Sequence, residues 1–516
     1  MLRSVKQKSS LLKNVSTANY RRMINNKPLA NIENVMNVPV HFTVKDTARI
    51  ITLNRPNKLN ALNTEMSDSI FNTLNEYAKS SATKLIIFNS SNQPRSFCAG
   101  GDVATVAIDN LNQKIKDSIK FFESEYSLNF QIATYDKPIV AIMNGITMGG
   151  GVGLAIHAPF RISTENTKWA MPEMDIGFFP DVGTTFALPR ILNISNEKLQ
   201  MAAYLSLTGE VINGEDAYLM GLSSHYISHE NLNSLETRLG ELLLNEKTGT
   251  DSNKENIYKK VNIALEEFSS ELPKDYKFKY NNHQLDVIEK VFEIDSKTSI
   301  EKILKNLDDI KNPDEIDFAQ EIKSKLLTKS IPSLQVAIRL LQHNSKDNIS
   351  SALKRDLFTA ANFCYASKNP DSPIEFTQSV KHKLIEKNKN AYNWKQTAPL
   401  DPLQVNSLIS PRPSLLTALK RNTENITWNN YPYHSKFQLP SESIINSYIK
   451  KVNETNRATD GDISRSITKK EVVNYFTNYS DDFKGKNAVD KIASLICEKN
   501  FNVDEFNGLI SKSKDL

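Results

Sequence analysis

Two glycine-rich segments constrain this chain most: Ser96-Phe97-Cys98-Ala99-Gly100-Gly101-Asp102 and Gly145-Ile146-Thr147-Met148-Gly149-Gly150-Gly151-Val152-Gly153. Each follows an apolar run that reads as a buried strand, Leu85 to Phe88 before the first and Pro138 to Met143 before the second, and each precedes a helical pattern. A strand-to-helix turn without side chains can aim bare backbone N–H groups at one anionic oxygen. One such turn alone signifies only a tight connection. Two in succession, followed by Met171-Pro172-Glu173 and then Phe179-Pro180-Asp181, place donors for a developing negative charge in the same chain region as carboxylates able to act as acid, base or nucleophile. Nucleotide signatures do not fit. Leu154 stands where a dinucleotide fingerprint begun at Gly149 needs its third glycine, and no Gly-Lys-Ser/Thr follows any glycine loop.

Together with Ile50-Ile51-Thr52-Leu53-Asn54-Arg55-Pro56 running into Leu59-Asn60-Ala61-Leu62-Asn63, these segments resemble the crotonase superfamily, and within it the 3-hydroxyisobutyryl-CoA hydrolase branch. The resemblance covers roughly Val40 to Asn393, including Phe122 to Asn129, and fades near Trp394. It implies an α/β fold, a crotonase-like stacked ββα core with a helical C-terminal region. It implies hydrolysis of the thioester of 3-hydroxyisobutyryl-CoA to 3-hydroxyisobutyrate and CoA, a step of valine degradation. By the same resemblance Gly101 and Gly150 supply the oxyanion hole, Glu173 and Asp181 are catalytic, and Glu125, Gly150, Glu173 and Asp181 bind the substrate. No metal is implied, and no cofactor beyond the CoA of the substrate. Crotonase-type folds usually associate as trimers, so a homo-oligomer is expected. Fungal relatives of this branch are also found in the small subunit of the mitochondrial ribosome, and the extension after about Pro399 resembles theirs. The second implication is therefore a structural partner of ribosomal protein and rRNA, which is compatible with a working hydrolase site.

The residues themselves carry part of this reading. Glu173 follows Trp169-Ala170-Met171-Pro172, an apolar approach that would desolvate a carboxyl group and raise its pKa. Asp181 follows Ile176-Gly177-Phe178-Phe179-Pro180 and can return to the same pocket. A solvated loop is the commoner fate of a carboxylate, and the aromatic neighbours weigh against it here. Glu125 lies in a helical pattern, where a plain surface position competes with a substrate contact; Glu123, two residues earlier, faces elsewhere. Enoyl-CoA hydratases add water with two glutamates, one of which falls at Gly153, so a hydratase or isomerase lacks half of its acid/base pair. Cys98 lies beside the first turn without a His partner and reads as a small packing residue. His225 and His229 are spaced i, i+4, but Tyr226-Ile227 between them reads as strand, against a zinc site. Lys58 and Arg95 are candidates for the CoA phosphates by sequence proximity only.

Residues 1–32 carry Arg3, Lys6, Lys8, Lys13, Arg21, Arg22 and Lys27 and no acidic residue, whereas the whole chain has a net charge of only +5. Leu2, Val5, Ser9, Leu12 and Val15 recur three to four apart, which fits the amphipathic helix of a mitochondrial transit peptide and hence a matrix protein. A basic arm that stays attached and binds RNA or membrane is the other reading. Three scattered cysteines, Cys98, Cys364 and Cys497, argue for a reducing compartment, and no apolar run is long enough to cross a bilayer.

The pattern sets a catalytic domain over 38–265, a helical region over 266–398 and an extension over 399–516. Val40 to Val44 and Arg49 to Leu53 read as a hairpin, and Thr64-Glu65-Met66 as the start of a helix with Met66, Ile70, Leu74 and Tyr77 on one face. Gln113 to Ile132 reads as a helix. Between Asn231 and Gln284 the chain is polar, with Thr248 to Asn253 read as a loop. Helical patterns follow over Val287 to Phe292, Ile300 to Leu307, Ile316 to Leu327, Ser333 to Gln342 and Ile349 to Phe363. In the extension, Pro411, Pro413, Pro432 and Pro440 interrupt short helical patterns, and Trp428, Tyr431, Tyr433 and Phe437 supply anchors. A docking segment and a helical cap on the same enzyme both fit.

Overall fold

The computed structural model describes residues 38–244, 251–415, 417–420, 431–460, 465–504 and 507–512. The basic leader over 1–32 and Trp428 lie outside the described residues. Strands β1 (Val40–Lys45) and β2 (Ala48–Leu53) form the expected hairpin, with Val40 opposite Leu53. They continue into a six-stranded sheet with β3 (Leu85–Ser90), β5 (Ile139–Met143), β7 (Phe160–Ser163) and β10 (His225–Tyr226), parallel from β2 onward. Alternation along these strands divides two cores. Ile51, Leu53, Ile86, Phe88, Ile139, Ala141 and Met143 face one, and Ala48, Ile50, Leu85, Ile87, Val140 and Ile142 face the other.

A second, four-stranded sheet in the order β4 (Ser96–Cys98), β6 (Ile146–Met148), β8 (Lys168–Ala170), β9 (Ile212–Asn213) was not legible in the sequence. β3 and β5 therefore do not deliver the chain directly into the glycine turns; β4 and β6 intervene. Strands of three residues are too short to display a period of two.

The helix Thr64–Lys79 buries Met66, Ile70 and Leu74 and half-buries Tyr77, as its spacing requires. Its cap is Asn63, which accepts a hydrogen bond from the Met66 amide, rather than Thr64. The segment read as polar is mostly helix, Leu232–Glu241 and Asp251–Glu266. Leu232, Leu235 and Leu239 of the first, with Tyr258, Val261 and Leu265 of the second, pack on the outer face of the large sheet. Their spacing of three to four was masked by polar residues between them. Of the proposed loop, residues 248–250 lie outside the described residues and Asp251 to Asn253 open the second helix.

The helical region comprises Asn282–Val291, Ile300–Asp308, Pro313–Leu327, Ile331–Asn344 and Ile349–Ala366, each of which contains or overlaps its predicted segment. The extension folds back on the rest of the chain. Its helices Glu442–Asp460, Lys469–Asn478 and Val489–Asn500 precede a two-stranded ribbon of β11 (Phe501–Val503) and β12 (Leu509–Ser511). Phe437 stacks on Phe160 of β7 with centroids 5.2 Å apart, Gln438 donates to the Gly221 carbonyl at 2.6 Å, and Glu442 accepts from the Ser195 amide at 2.7 Å. The buried Lys499 ammonium pairs with Glu289 and, at 2.6 Å, with Glu442. Among the described residues no helix is long and apolar enough to cross a membrane.

Candidate active site

β4, β6 and β8 run parallel in near register, with Ser96 beside Ile146 and Ile146 beside Lys168. Their C-terminal ends therefore emerge side by side, and each releases one proposed site segment: Gly100-Gly101 after β4, Gly149-Gly150 after β6, Met171-Pro172-Glu173 after β8. Gly100 has φ +122° and Gly149 φ +48° with ψ −118°, conformations closed to residues with a Cβ. Gly150 is the first residue of the helix Gly150–Ile156. Gly101 does not open its helix: Asp102 caps Val103–Leu111, accepts from the Thr105 amide and pairs with Arg55 at 2.8 Å, so Gly101 precedes the cap.

The two amides border one space. A methyl group on Gly150 would stand 3.2 Å from the Gly101 nitrogen, and one on Gly100 would stand 3.9 Å from the Gly150 nitrogen. Neither amide has an acceptor among the described residues. Glu125 and Glu173 face the same space. The Glu125 Oε1 lies 2.2 Å from where a Gly150 Cβ would be, and the Glu173 Oε1 lies 2.7 Å from where a Gly149 Cβ would be. Both carboxyls are buried, and Glu125 Oε1 and Glu173 Oε2 lack any hydrogen-bond partner. Unpaired buried oxygens are costly for stability, and at a catalytic site they are open to a ligand or water. Glu125 is thus not a surface residue of its helix, Ile115–Ala133, whereas Glu123 is partly exposed and accepts from the Ala418 amide at 3.1 Å.

Asp181 closes the acidic group. Its Oδ2 accepts the Tyr126 hydroxyl at 2.6 Å. Burial pushes the carboxyls of Glu125 and Glu173 well above the usual range, and the charge of Asp181 adds to it. Burial raises Asp181 to about 7, with the Tyr126 hydrogen bond opposing the rise. Behind it Asp356, raised by burial to about 8, accepts the Gly183 amide at 2.8 Å.

The loop from Glu173 to Asp181 is covered by the helical region. Phe178 stacks on Phe122 at 5.4 Å and packs against Phe363 and Phe376, while Trp394 lies against Gly177. Sequence reading missed Tyr126, Asp356, Phe363 and Phe376. Tyr126 stood next to Glu125 in the segment already singled out; the others carry no local signal because they arrive from two distant helices, Ile349–Ala366 and Phe376–Val380.

Cys98 is buried, its thiol is pushed up to about 12 by burial, and it packs beneath the turn. A side chain at Gly153 would meet Val182 Cβ at 2.7 Å and Asn129 Nδ2 at 2.9 Å, so the position of a second hydratase glutamate is filled. Lys58 and Arg95 are exposed and form no ion pair among the described residues. His225 lies in β10 beside Glu266 at 3.3 Å, whereas His229 bonds Asn144 at 2.7 Å, so they share no helix face. Among the described residues only His283, Asp286 and Glu315 bring three metal-ligand atoms together, and Lys290 already takes both Glu315 oxygens.

Residues 48–409 match the family described as enoyl-CoA hydratase/isomerase. The small ribosomal subunit protein mS47 of Neurospora crassa is 35% identical over 79% of this chain and 78% of its own length. The mitochondrial 3-hydroxyisobutyryl-CoA hydrolase of Xenopus tropicalis is 35% identical over 68% of this chain and 83% of its own. A carnitinyl-CoA dehydratase from Mycobacterium thermoresistibile superimposes with a TM-score of 0.59 at 25% identity, over 74% of this chain and 99% of that one. The expected crotonase-like α/β fold is thereby found, and this chain belongs to the enoyl-CoA hydratase/isomerase family.

Proposed function

We propose that this chain is a mitochondrial acyl-CoA thioester hydrolase, acting on 3-hydroxyisobutyryl-CoA. The observation that carries the reading is the pair of acceptorless amides at Gly101 and Gly150 beside unpartnered buried carboxyl oxygens of Glu125 and Glu173. The thioester carbonyl oxygen would accept from both amides, which favours the negative charge it gains in the tetrahedral intermediate over the neutral ground state. Of Glu173 and Asp181, one must be ionised to act as base and the other protonated to act as acid. The ionised member takes a proton from the attacking water, the C–S bond breaks, and the protonated member returns a proton to the departing thiolate. Glu125 borders the acyl end, and Tyr126 keeps Asp181 oriented. Hydrolysis is favoured over hydration because Val182 and Asn129 occupy the place of a second glutamate. The hydrolase names among the relatives support the acyl group, and their mitochondrial naming supports the compartment.

Release of free thiol from purified protein and 3-hydroxyisobutyryl-CoA, lost in Glu173→Gln, is the expected result. Hydration of an enoyl-CoA without thiol release would contradict it. A second reading, a component of the small subunit of the mitochondrial ribosome, is favoured by one specific observation. The alignment with the Neurospora protein spans 419 residues against 355 for the Xenopus hydrolase. Co-sedimentation with small ribosomal subunits tests it independently of turnover.

A further inference from the structure

The loop that carries Asp181 is strained and held from several sides. Val182 is β-branched yet has φ +50°, a left-handed conformation that persists only where its surroundings impose it. Thr184 Oγ1 donates to the Asp181 carbonyl at 2.7 Å, Asp356 takes the Gly183 amide, and His157 Nε2 lies 2.6 Å from the Val182 carbonyl. His157 closes the C-terminal end of Gly150–Ile156, the helix whose first amide borders the oxyanion space, and it is fully buried.

Proton assignment follows from the partners. A carbonyl only accepts, so Nε2 of His157 carries the hydrogen. Burial lowers this imidazole to about 4, so it is neutral and its Nδ1 is a bare acceptor. That acceptor meets the hydroxyl of Tyr431, from the C-terminal extension, at 2.7 Å. Three residues later His434 stacks on the Tyr431 ring at 3.7 Å and donates Nε2–H to the His157 carbonyl at 2.8 Å. The Tyr431 ring also stands edge-on to Phe186, 5.3 Å away, in the helix that leaves Gly183.

From this geometry we infer that Tyr431 is a positioning residue of the acyl site: its hydroxyl satisfies His157 Nδ1 and holds the imidazole against Val182, and thereby Asp181 in place. The inference rests on the role proposed above for Asp181. It makes the extension part of the reaction centre's support, because Tyr431 and His434 grip His157 by side chain and main chain. Removing the hydroxyl leaves a buried nitrogen unpaired while the ring packing stays.

The test is Tyr431→Phe in the full chain, with Tyr433→Phe as control, since Tyr433 stacks on Tyr258 at 3.9 Å and packs in the other core, away from Val182 and Phe186. Thiol-release kinetics and histidine-labelled nitrogen NMR are read on the same samples. Expected are a kcat about ten- to a hundredfold lower at unchanged KM, as for a slightly misplaced catalytic group, and unaltered kinetics in the control. The wild-type spectrum should show His157 protonated on Nε2 with a hydrogen-bonded Nδ1, and Y431F should shift only the Nδ1 resonance toward an unbonded imidazole nitrogen. A wild-type His157 protonated on Nδ1, or a Y431F protein with wild-type kcat, overturns the inference. A wild type that releases no thiol defeats the functional reading instead, and the spectra then decide alone.

Discussion

Gly150→Ala separates catalysis from folding. The new methyl would lie 2.2 Å from Glu125 Oε1 and 3.2 Å from both the Gly100 carbonyl carbon and the Gly101 nitrogen. The Glu125 carboxyl is the far end of a flexible side chain and can swing aside; the backbone contacts are tight but do not force a rearrangement. Gly150 has no positive φ and is the first residue of its helix, so alanine gains at most about 1 kcal/mol there. The methyl nevertheless fills the space between the two amides. Loss of one oxyanion donor lowers turnover about 100- to 1,000-fold, and the variant should lose at least that. Gly151→Ala is the internal contrast. Its methyl would lie 2.2 Å from the Cys98 carbonyl oxygen, which the sheet holds fixed, so overpacking of roughly 1–3 kcal/mol should appear as a lower melting temperature. Thiol release and thermal unfolding, measured on both, should give an inactive but stable G150A and an unstable G151A. A G150A protein with wild-type turnover would refute the placement of the oxyanion.

Glu173→Gln removes the proton exchange while keeping shape, so thiol release should fall by at least about 100-fold and the melting temperature should hold or rise. With Asp181 at about 7, kcat/KM should climb with pH through neutrality as its proton leaves. The Tyr126 hydroxyl stabilises the ionised form, so Tyr126→Phe raises that pKa and should move the acidic limb of the profile to higher pH. Phe437→Ala deletes a ring buried against Phe160 and should cost about 3–5 kcal/mol in urea unfolding, which would show the extension to be part of the folded core. Gly153→Glu should yield a destabilised chain without hydratase activity, because Val182 and Asn129 already fill the site, as a soluble-expression comparison and an enoyl-CoA assay would report.

The glycine turns were legible because close backbone approach and positive φ leave glycine as the residue that fits, and the long apolar strands because they are buried on both faces. What held the turns together was not. β4, β6 and β8 have three residues each, and their common register arises only when the second sheet forms. For Glu125 a surface position competed with a substrate contact because its helix alone could not decide; its carboxyl faces the turns at Gly101 and Gly150, which belong to other elements. Leu232, Leu235 and Leu239 had helical spacing that a polar background concealed. The link from Tyr431 to Asp181 runs through His157, 274 positions before Tyr431, a separation no local pattern reveals. A cap and a docking segment looked alike in the extension because both need a few aromatic anchors. Phe437, Gln438 and Glu442 fold inward, whereas Tyr479 and Leu403 remain exposed at 68% and 79%. Cutting the chain near Pro399 would therefore remove core packing along with any docking surface, and exposed substitutions such as Tyr479→Ser are the cleaner probe of a ribosomal partner.

In the proposed reaction the amides of Gly101 and Gly150 grip a single thioester oxygen. Isotope-edited infrared spectra of carbonyl-labelled 3-hydroxyisobutyryl-CoA bound to Glu173→Gln measure that grip without turnover. Two donors should draw the carbonyl stretch to a lower frequency than in water, and the added Gly150→Ala change should abolish the shift. A bound carbonyl that vibrates as it does in water would contradict the account.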